Sequence, residues 1–194
     1  MKLTPVTLEG TLVRLEPLSL THLDALLEAG ADPTIWKYMP SNCLTRDGAL
    51  EFIETALAWQ RAGTALPYAT VDRKSGKVVG STRFGNIAPE HKRVEIGWTW
   101  ISPQWQRTAV NTEAKFLMMR YAFEELGCNR VELKTNASNM RSRNAILRIG
   151  AKEEGTLRSH MVNPDGSLRD TVYFSVITPE WPEVKSRLQA MMNR

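Results

Sequence analysis

One segment, RVEIGWTWISPQWQRTAVNTEAKFLMMRYAFEELG from Arg93 to Gly127, narrows the possible folds of this chain more sharply than any other. Val94, Ile96, Trp98 and Trp100 alternate with smaller or polar residues, the two-residue period of a strand with one buried face. Pro103 has no N–H and ends the ladder. From Asn111 the period lengthens. Ala114, Leu117, Met118, Tyr121 and Ala122 line one helical stripe, widened by Phe116, Met119, Phe123 and Leu126. That pattern leaves Glu113, Lys115, Arg120, Glu124 and Glu125 for water, and Gly127 suits a left-handed cap. A strand entering a helix through a polar loop presents free N–H groups at the positive end of the helix dipole, a setting for phosphate or diphosphate. The loop lacks both the Gly-Lys-Ser/Thr of a Walker A sequence and the three glycines of a dinucleotide fingerprint. An ordinary, ligand-free strand–loop–helix unit is therefore the alternative.

The remaining elements follow from similar patterns. Thr11 to Pro17 alternates and predicts a first strand. Ser19 or Thr21 can cap a helix with Leu20, Leu23, Leu26 and Leu27 inward. Asp32-Pro33 starts a short helical turn bearing Ile35, Trp36, Tyr38 and Met39, which either wall a substrate pocket or fill core. Thr45 caps a helix whose buried stripe is Ala49, Phe52, Ile53, Ala56 and Leu57, with Gly63 at its end. Strands over Leu66–Asp72 and Lys77–Ile87 flank a Lys74-Ser75-Gly76 turn, and Pro89-Glu90-His91 leads back into the Arg93 strand. Val131–Asn136 alternates. Asn139 caps a helix over Ser142–Ile149. Lys152–Val162 and Leu168–Ile177 form a hairpin around Asn163-Pro164-Asp165-Gly166, and Pro179 opens a last helix. The order predicts a single mixed α/β domain over residues 1–194, with no internal repeat.

Composition removes several classes of function. Hydrophobic residues at 42% and charged residues at 24% describe a globular chain with a real core. No apolar run approaches the roughly 18 residues that cross a bilayer, and Met1-Lys2-Leu3-Thr4-Pro5 starts no signal peptide. Cys43 and Cys128 are too few to staple the fold and are expected reduced, which points to the cytoplasm. Three scattered histidines without a Cys/His cluster predict no metal site. A formal charge of +4 suits a small anionic ligand, while the absence of a dense Lys/Arg block argues against nucleic acid.

Several motifs then recur in one order: Glu95-Ile96-Gly97-Trp98; Gln106 to Asn111 leading into Thr112-Glu113-Ala114; and Asn139-Met140-Arg141-Ser142 leading to Leu147-Arg148-Ile149-Gly150-Ala151. Glu154-Gly155-Thr156-Leu157-Arg158 and Asp165 to Tyr173 complete the set. Together they resemble the GNAT family (Gcn5-related N-acetyltransferases), in its RimJ/RimL-like branch of ribosomal-protein N-terminal acetyltransferases. The resemblance implies the GNAT fold, a mixed and mostly antiparallel twisted sheet of about seven strands with helices on both faces. It also implies acetyl-CoA as cofactor. The family's diphosphate loop, Gln/Arg-x-x-Gly-x-Gly/Ala, falls on Gln106, Arg107, Thr108, Ala109, Val110 and Asn111, just before Thr112. Both small positions differ. Ala109 keeps its N–H but resists positive φ, whereas Asn111 tolerates left-handed geometry and can itself cap the helix. Arg107 and Thr108 add a cation and a hydroxyl for phosphate.

The implied reaction moves acetyl to a primary amine by direct attack, with a protein N-terminus or a small amine as acceptor. By the resemblance, a backbone N–H near Ile101 polarises the carbonyl, Asn139 holds the pantetheine amides, and Ser142 serves the leaving sulfur where many relatives use a tyrosine, a position that is Ile146 here. Glu95 points away from the Val94 and Ile96 face and is the candidate base; a strand glutamate holding Arg83 or Arg93 is the alternative. Trp36, Tyr38 and Arg83 are candidates for acceptor binding. Tyr173 and Arg158 read as structural. A silent coenzyme A-binding sensor of the same fold is the competing function, and a homodimer is suggested by analogy alone.

Overall fold

A computed structural model of the chain describes residues 4–163 and 165–193. Eight strands form one sheet in the order β1-β2-β3-β4-β5-β6-β8-β7. They are β1 (Leu8–Glu9), β2 (Val13–Pro17), β3 (Leu66–Asp72), β4 (Val78–Ala88), β5 (Arg93–Ile101), β6 (Arg130–Asn136), β7 (Lys152–Val162) and β8 (Leu168–Ile177). The short β1 is the strand that periodicity does not find, since two residues carry no period. All neighbours run antiparallel except β5 and β6. In the β7–β8 turn, Pro164 lies outside the described residues.

Helices cover the two faces unequally. On one face, α3 (Ala109–Arg120) and α5 (Trp181–Met192) pack over the main core, with Trp181 between Phe116 and Phe123 at ring separations of 6.4 and 5.3 Å. On the other, α1 (Leu23–Ala29) and α2 (Arg46–Arg61) bury a second cluster around Leu26, Phe52, Ile53 and Trp100. The residues of β6 that face this second side, Arg130, Glu132, Lys134 and Asn136, remain half-buried, so that face stays partly open toward β7 and β8. Leu20, expected inward, is 52% exposed because the chain makes a tight helical turn over Leu20–His22 before α1 begins. The fourth helix, α4 (Met140–Arg148), starts from an Asn139 cap.

Two sequence expectations about α3 are corrected. The helix begins at Ala109, with Thr108 as its cap, rather than at Asn111. Glu113 and Lys115 are buried rather than solvated, because α3 is enclosed by the sheet, by α5 and by the turn between β1 and β2. Phe116, Leu117, Met118 and Met119 each contribute roughly 2–3 kcal/mol of apolar burial, enough to take two charged neighbours inside with them. Each side chain has local hydrogen-bond partners. Glu113 accepts from the N–H groups of Thr11, Leu12 and Val13 at 2.9, 2.7 and 2.6 Å. Lys115 Nζ donates to Thr99 Oγ1 at 2.6 Å and reaches Thr82 Oγ1 at 3.5 Å; the two hydroxyls lie 2.8 Å apart. The helix ends through a widened turn at Tyr121–Glu125 and Gly127 at φ 64, the left-handed stop expected there.

Two predictions follow from these buried charges. A Cβ on Gly10 would strike the Glu113 carboxylate; Gly10→Ala should cost roughly 1–3 kcal/mol in denaturant melts, and an unchanged midpoint would contradict the three-donor clasp. Burial draws the Lys115 pKa from an ordinary 10.5 down to about 7. Between those values the unfolded chain binds one more proton than the folded one, so stability should climb with pH across the window and be lost as pH falls to about 7. Lys115→Met removes that proton site. The stability of the natural chain relative to the variant should therefore be greater at high pH than at neutral pH. A gap independent of pH would contradict it.

Candidate active site

The parallel pair at the middle of the sheet is short. β5 meets β6 only where Arg93, Val94 and Glu95 face Arg130, Val131 and Glu132, although β5 runs on to Ile101 and β6 to Asn136. Beyond Glu95 the two strands part. The cause is a break in β5 opposite Thr82: Gly97 faces Arg83 and Trp100 faces Ser81, leaving one extra residue between them. Trp98 takes φ 50, a left-handed conformation costly for a bulky side chain. Glycines make room for the Trp98 ring and for the Glu95 carboxylate. A Cβ on Gly85 would strike the Trp98 ring, and one on Gly97 would lie 2.8 Å from Glu95 Oε1. From the α3 side, Thr99 is gripped by Thr82 and Lys115.

The irregular backbone thus lies at Gly97–Thr99 and not near Ile101. Ile101 remains in the β4–β5 ladder opposite Gly80, and its carbonyl accepts from Gln106 Nε2 at 2.8 Å.

Gln106 opens the loop into α3. Its Oε1 accepts from Arg141 Nη1 at 2.9 Å, tying the end of β5 to α4. The left-handed position of the loop is Arg107, at φ 61, while Ala109 and Asn111 are both helical; the two replaced small positions need no glycine for conformation. Thr108 Oγ1 donates to Trp105 O at 2.7 Å and accepts from Val110 N at 3.3 Å. The other first-turn N–H groups of α3 have no intrahelical acceptor. Arg148 Nη2 donates to Thr112 Oγ1 at 3.1 Å. Arg107, Arg141 and Arg148 therefore gather around one helix N-terminus, and this donor set fits a diphosphate. The sequence reading missed Arg141 and Arg148. Their spacing of two helical turns, which puts both on one face of α4, was the signal.

At the start of α4, Asn139 Oδ1 accepts from Ser142 N at 3.1 Å, which commits the oxygen to the cap and leaves Nδ2 without an acceptor among the described residues. Ser142 is half-buried, and its hydroxyl makes no hydrogen bond among the described residues. Tyr38 reaches this corner, with its hydroxyl donating to Ser138 O at 3.3 Å.

On the open face, Glu95 is 2% exposed. Its Oε2 accepts from Asn86 Nδ2 at 2.6 Å and pairs with Lys134 Nζ at 3.0 Å. The partner is thus neither Arg83 nor Arg93; Arg93 pairs with Glu132 instead. Lys134 also lies over the rings of Trp98 and Tyr173, at 5.8 and 5.9 Å, and His160 meets Tyr173 at 5.8 Å. Tyr173 therefore borders this cluster, a position its reading as a purely structural hairpin residue did not anticipate.

Two expected acceptor-side residues sit deeper. Trp36 packs against Trp100 at 4.9 Å, and its Nε1 donates to Gly30 O at 2.8 Å, so it fills core. Arg83 is 2% exposed between the rings of Phe52, Trp59 and Trp98 at 5.0, 5.3 and 5.2 Å. There it supports the Trp59–Trp98 pair from beneath, and burial lowers its pKa to about 10. Burial pushes the Cys43 and Cys128 thiols up to about 12 and about 11.

The Acetyltransferase (GNAT) domain family matches residues 13–152. YoaA of Bacillus subtilis (strain 168), an uncharacterized N-acetyltransferase, is 27% identical over 142 residues, 73% of this chain and 79% of its own. A GCN5-related N-acetyltransferase from Brucella melitensis superposes with a TM-score of 0.92 at 34% identity, over 99% of this chain and 87% of its own. RimJ of Mycobacterium smegmatis, solved in complex with CoA-disulfide, shares the fold with a TM-score of 0.82 at 22% identity, over 96% and 94% of the two chains. The chain belongs to the GNAT family and is an N-acetyltransferase that uses acetyl-CoA.

Proposed function

We propose that the acceptor is a primary amine that approaches on the Glu95 face, between α2 and the β7–β8 hairpin, and is acetylated by direct attack. The observation that carries this reading is the parting of β5 from β6 beyond Glu95. Both strands end beside the N-termini of α3 and α4, so the gap runs from the diphosphate donors toward Glu95. Bound acetyl-CoA supplies the acetyl thioester. Arg107, Arg141, Arg148 and the first N–H groups of α3 hold its diphosphate, and Asn139 Nδ2 is the donor available for its amide arm. The Ser142 hydroxyl is the donor available to the sulfur.

An amine must shed a proton before it can attack, and free α-amines titrate near about pH 8. Glu95 Oε2 receives that proton, directly or through water, while Lys134 balances the carboxylate between turnovers. The N–H groups of the irregular stretch Gly97–Thr99 are the backbone donors available where carbonyl charge builds. Neither cysteine is a credible acyl carrier, because thiols pushed this far up are protonated at neutral pH.

Thiol release from acetyl-CoA with peptide and small-molecule amines tests the reading. Glu95→Gln should slow release most below about pH 8, where the free amine is scarce, and least above it. Parallel pH–rate profiles for the two proteins would remove Glu95 from proton transfer. Replacing Arg141 and Arg148 together by Ala should raise KM for acetyl-CoA by about tenfold or more with a much smaller change in kcat, as expected for lost charge-assisted contacts. An unchanged KM would place the diphosphate elsewhere.

A further inference from the structure

The open face carries a cation for which neither the fold nor the proposed proton transfer has a use. Arg169, on β8, is half-buried. Its guanidinium forms no hydrogen bond or ion pair among the described residues, and its Nε is sealed from water without a partner. Thr171 stands two residues along the same strand face, is fully buried, and its hydroxyl is also unpartnered. The other cations nearby are accounted for: Lys134 is paired with Glu95, and Arg83 is enclosed by three rings. Asp170, the adjacent acid, is engaged elsewhere, its Oδ1 accepting from Ser159 N at 2.7 Å where β7 bulges.

An arginine partly removed from water with no acceptor is costly. Burial weakens its hold on its proton, and only the fields of Glu95 and Tyr173 oppose that. Arg169, Thr171 and Tyr173 alternate along one face of β8, and the Tyr173 ring lies under Lys134, the partner of Glu95. The guanidinium fork matches a carboxylate in shape and charge better than any other common anion-binding side chain. With Lys134 and Arg169 set against Glu95, the face also repels acceptors of high positive charge.

Resting on the reading of this face as the acceptor side, we infer that the acceptor amine carries a carboxylate close to its amino group, received by Arg169 while the amine is set against Glu95. Free amino acids offer that pair of groups through the α-carboxylate. Peptides offer it through an acidic side chain beside the N-terminus.

The test is thiol release by the full chain at fixed acetyl-CoA with matched acceptors: free amino acids against their amides, and peptides with Asp or Glu at the second position against the same peptides with Asn or Gln. At least one carboxylate series should be favoured by about tenfold or more in kcat/KM, chiefly through KM. The arm that shows the preference identifies the source of the carboxylate. Arg169→Gln should erase the preference and Arg169→Lys should retain part of it. Equal turnover of both members in both arms overturns the inference, as does an Arg169→Gln variant that slows both members alike. If Arg169→Gln does not fold, the comparison on the natural chain decides alone. Release from carboxamides only removes the carboxylate and spares the acetyl-transfer reading. Release from no acceptor, with acetyl-CoA still bound, removes both.

Discussion

The break in β5 between Gly97 and Trp100 is the constraint on which the site depends. A regular strand would continue its parallel pairing with β6 and seal the middle of the sheet. One extra residue opposite Thr82 turns the strand away and leaves backbone donors outside the ladder. The distortion is not free, since a tryptophan is held at φ 50. It persists because the surroundings leave no alternative: Gly85 and Gly97 admit the displaced groups, Arg83 and Trp59 pack on the Trp98 ring, and Lys115 anchors Thr99 from below. Strain is therefore concentrated in one short stretch of backbone beside the candidate site.

The two sides of that opening are built from different materials. On the helix side, N–H groups at the start of α3 and arginines from the loop and from α4 form a positively charged rim suited to a diphosphate. On the open side, a paired carboxylate is framed by aromatic rings and further cations. The rim would hold a large cofactor by charge. On the open face Glu95 is the carboxylate that the proposed acceptor amine would approach. This division explains why the small residues expected in the diphosphate loop can be replaced. Their N–H groups remain, Ala109 and Asn111 lie inside the helix, and the left-handed turn is at Arg107.

Most of the fold was legible because its signals are local. Alternation located β2, β5 and β6, turn signals located the other long strands, and Asn139, Thr45 and Gly127 marked helix ends where the structure puts them. The failures arise because period says nothing about enclosure, backbone breaks or register. Glu113 and Lys115 read as solvent-facing because they are charged and fall off the apolar stripe, yet α3 has no solvent face at its middle. The β5 bulge was hidden because Trp98 and Trp100 preserve the alternation in sequence while the backbone breaks it in space. The partners of Glu95 were equally hidden. Lys134 and Asn86 lie on other strands, and register alone brings them together.

A crystal of the chain soaked with acetyl-CoA tests the parted strands most directly. The expected density puts the diphosphate on the turn from Arg107 to Asn111, with the sulfur between Gly97–Thr99 and β6. Density for the cofactor outside that gap, or none at millimolar supply, would contradict the site described.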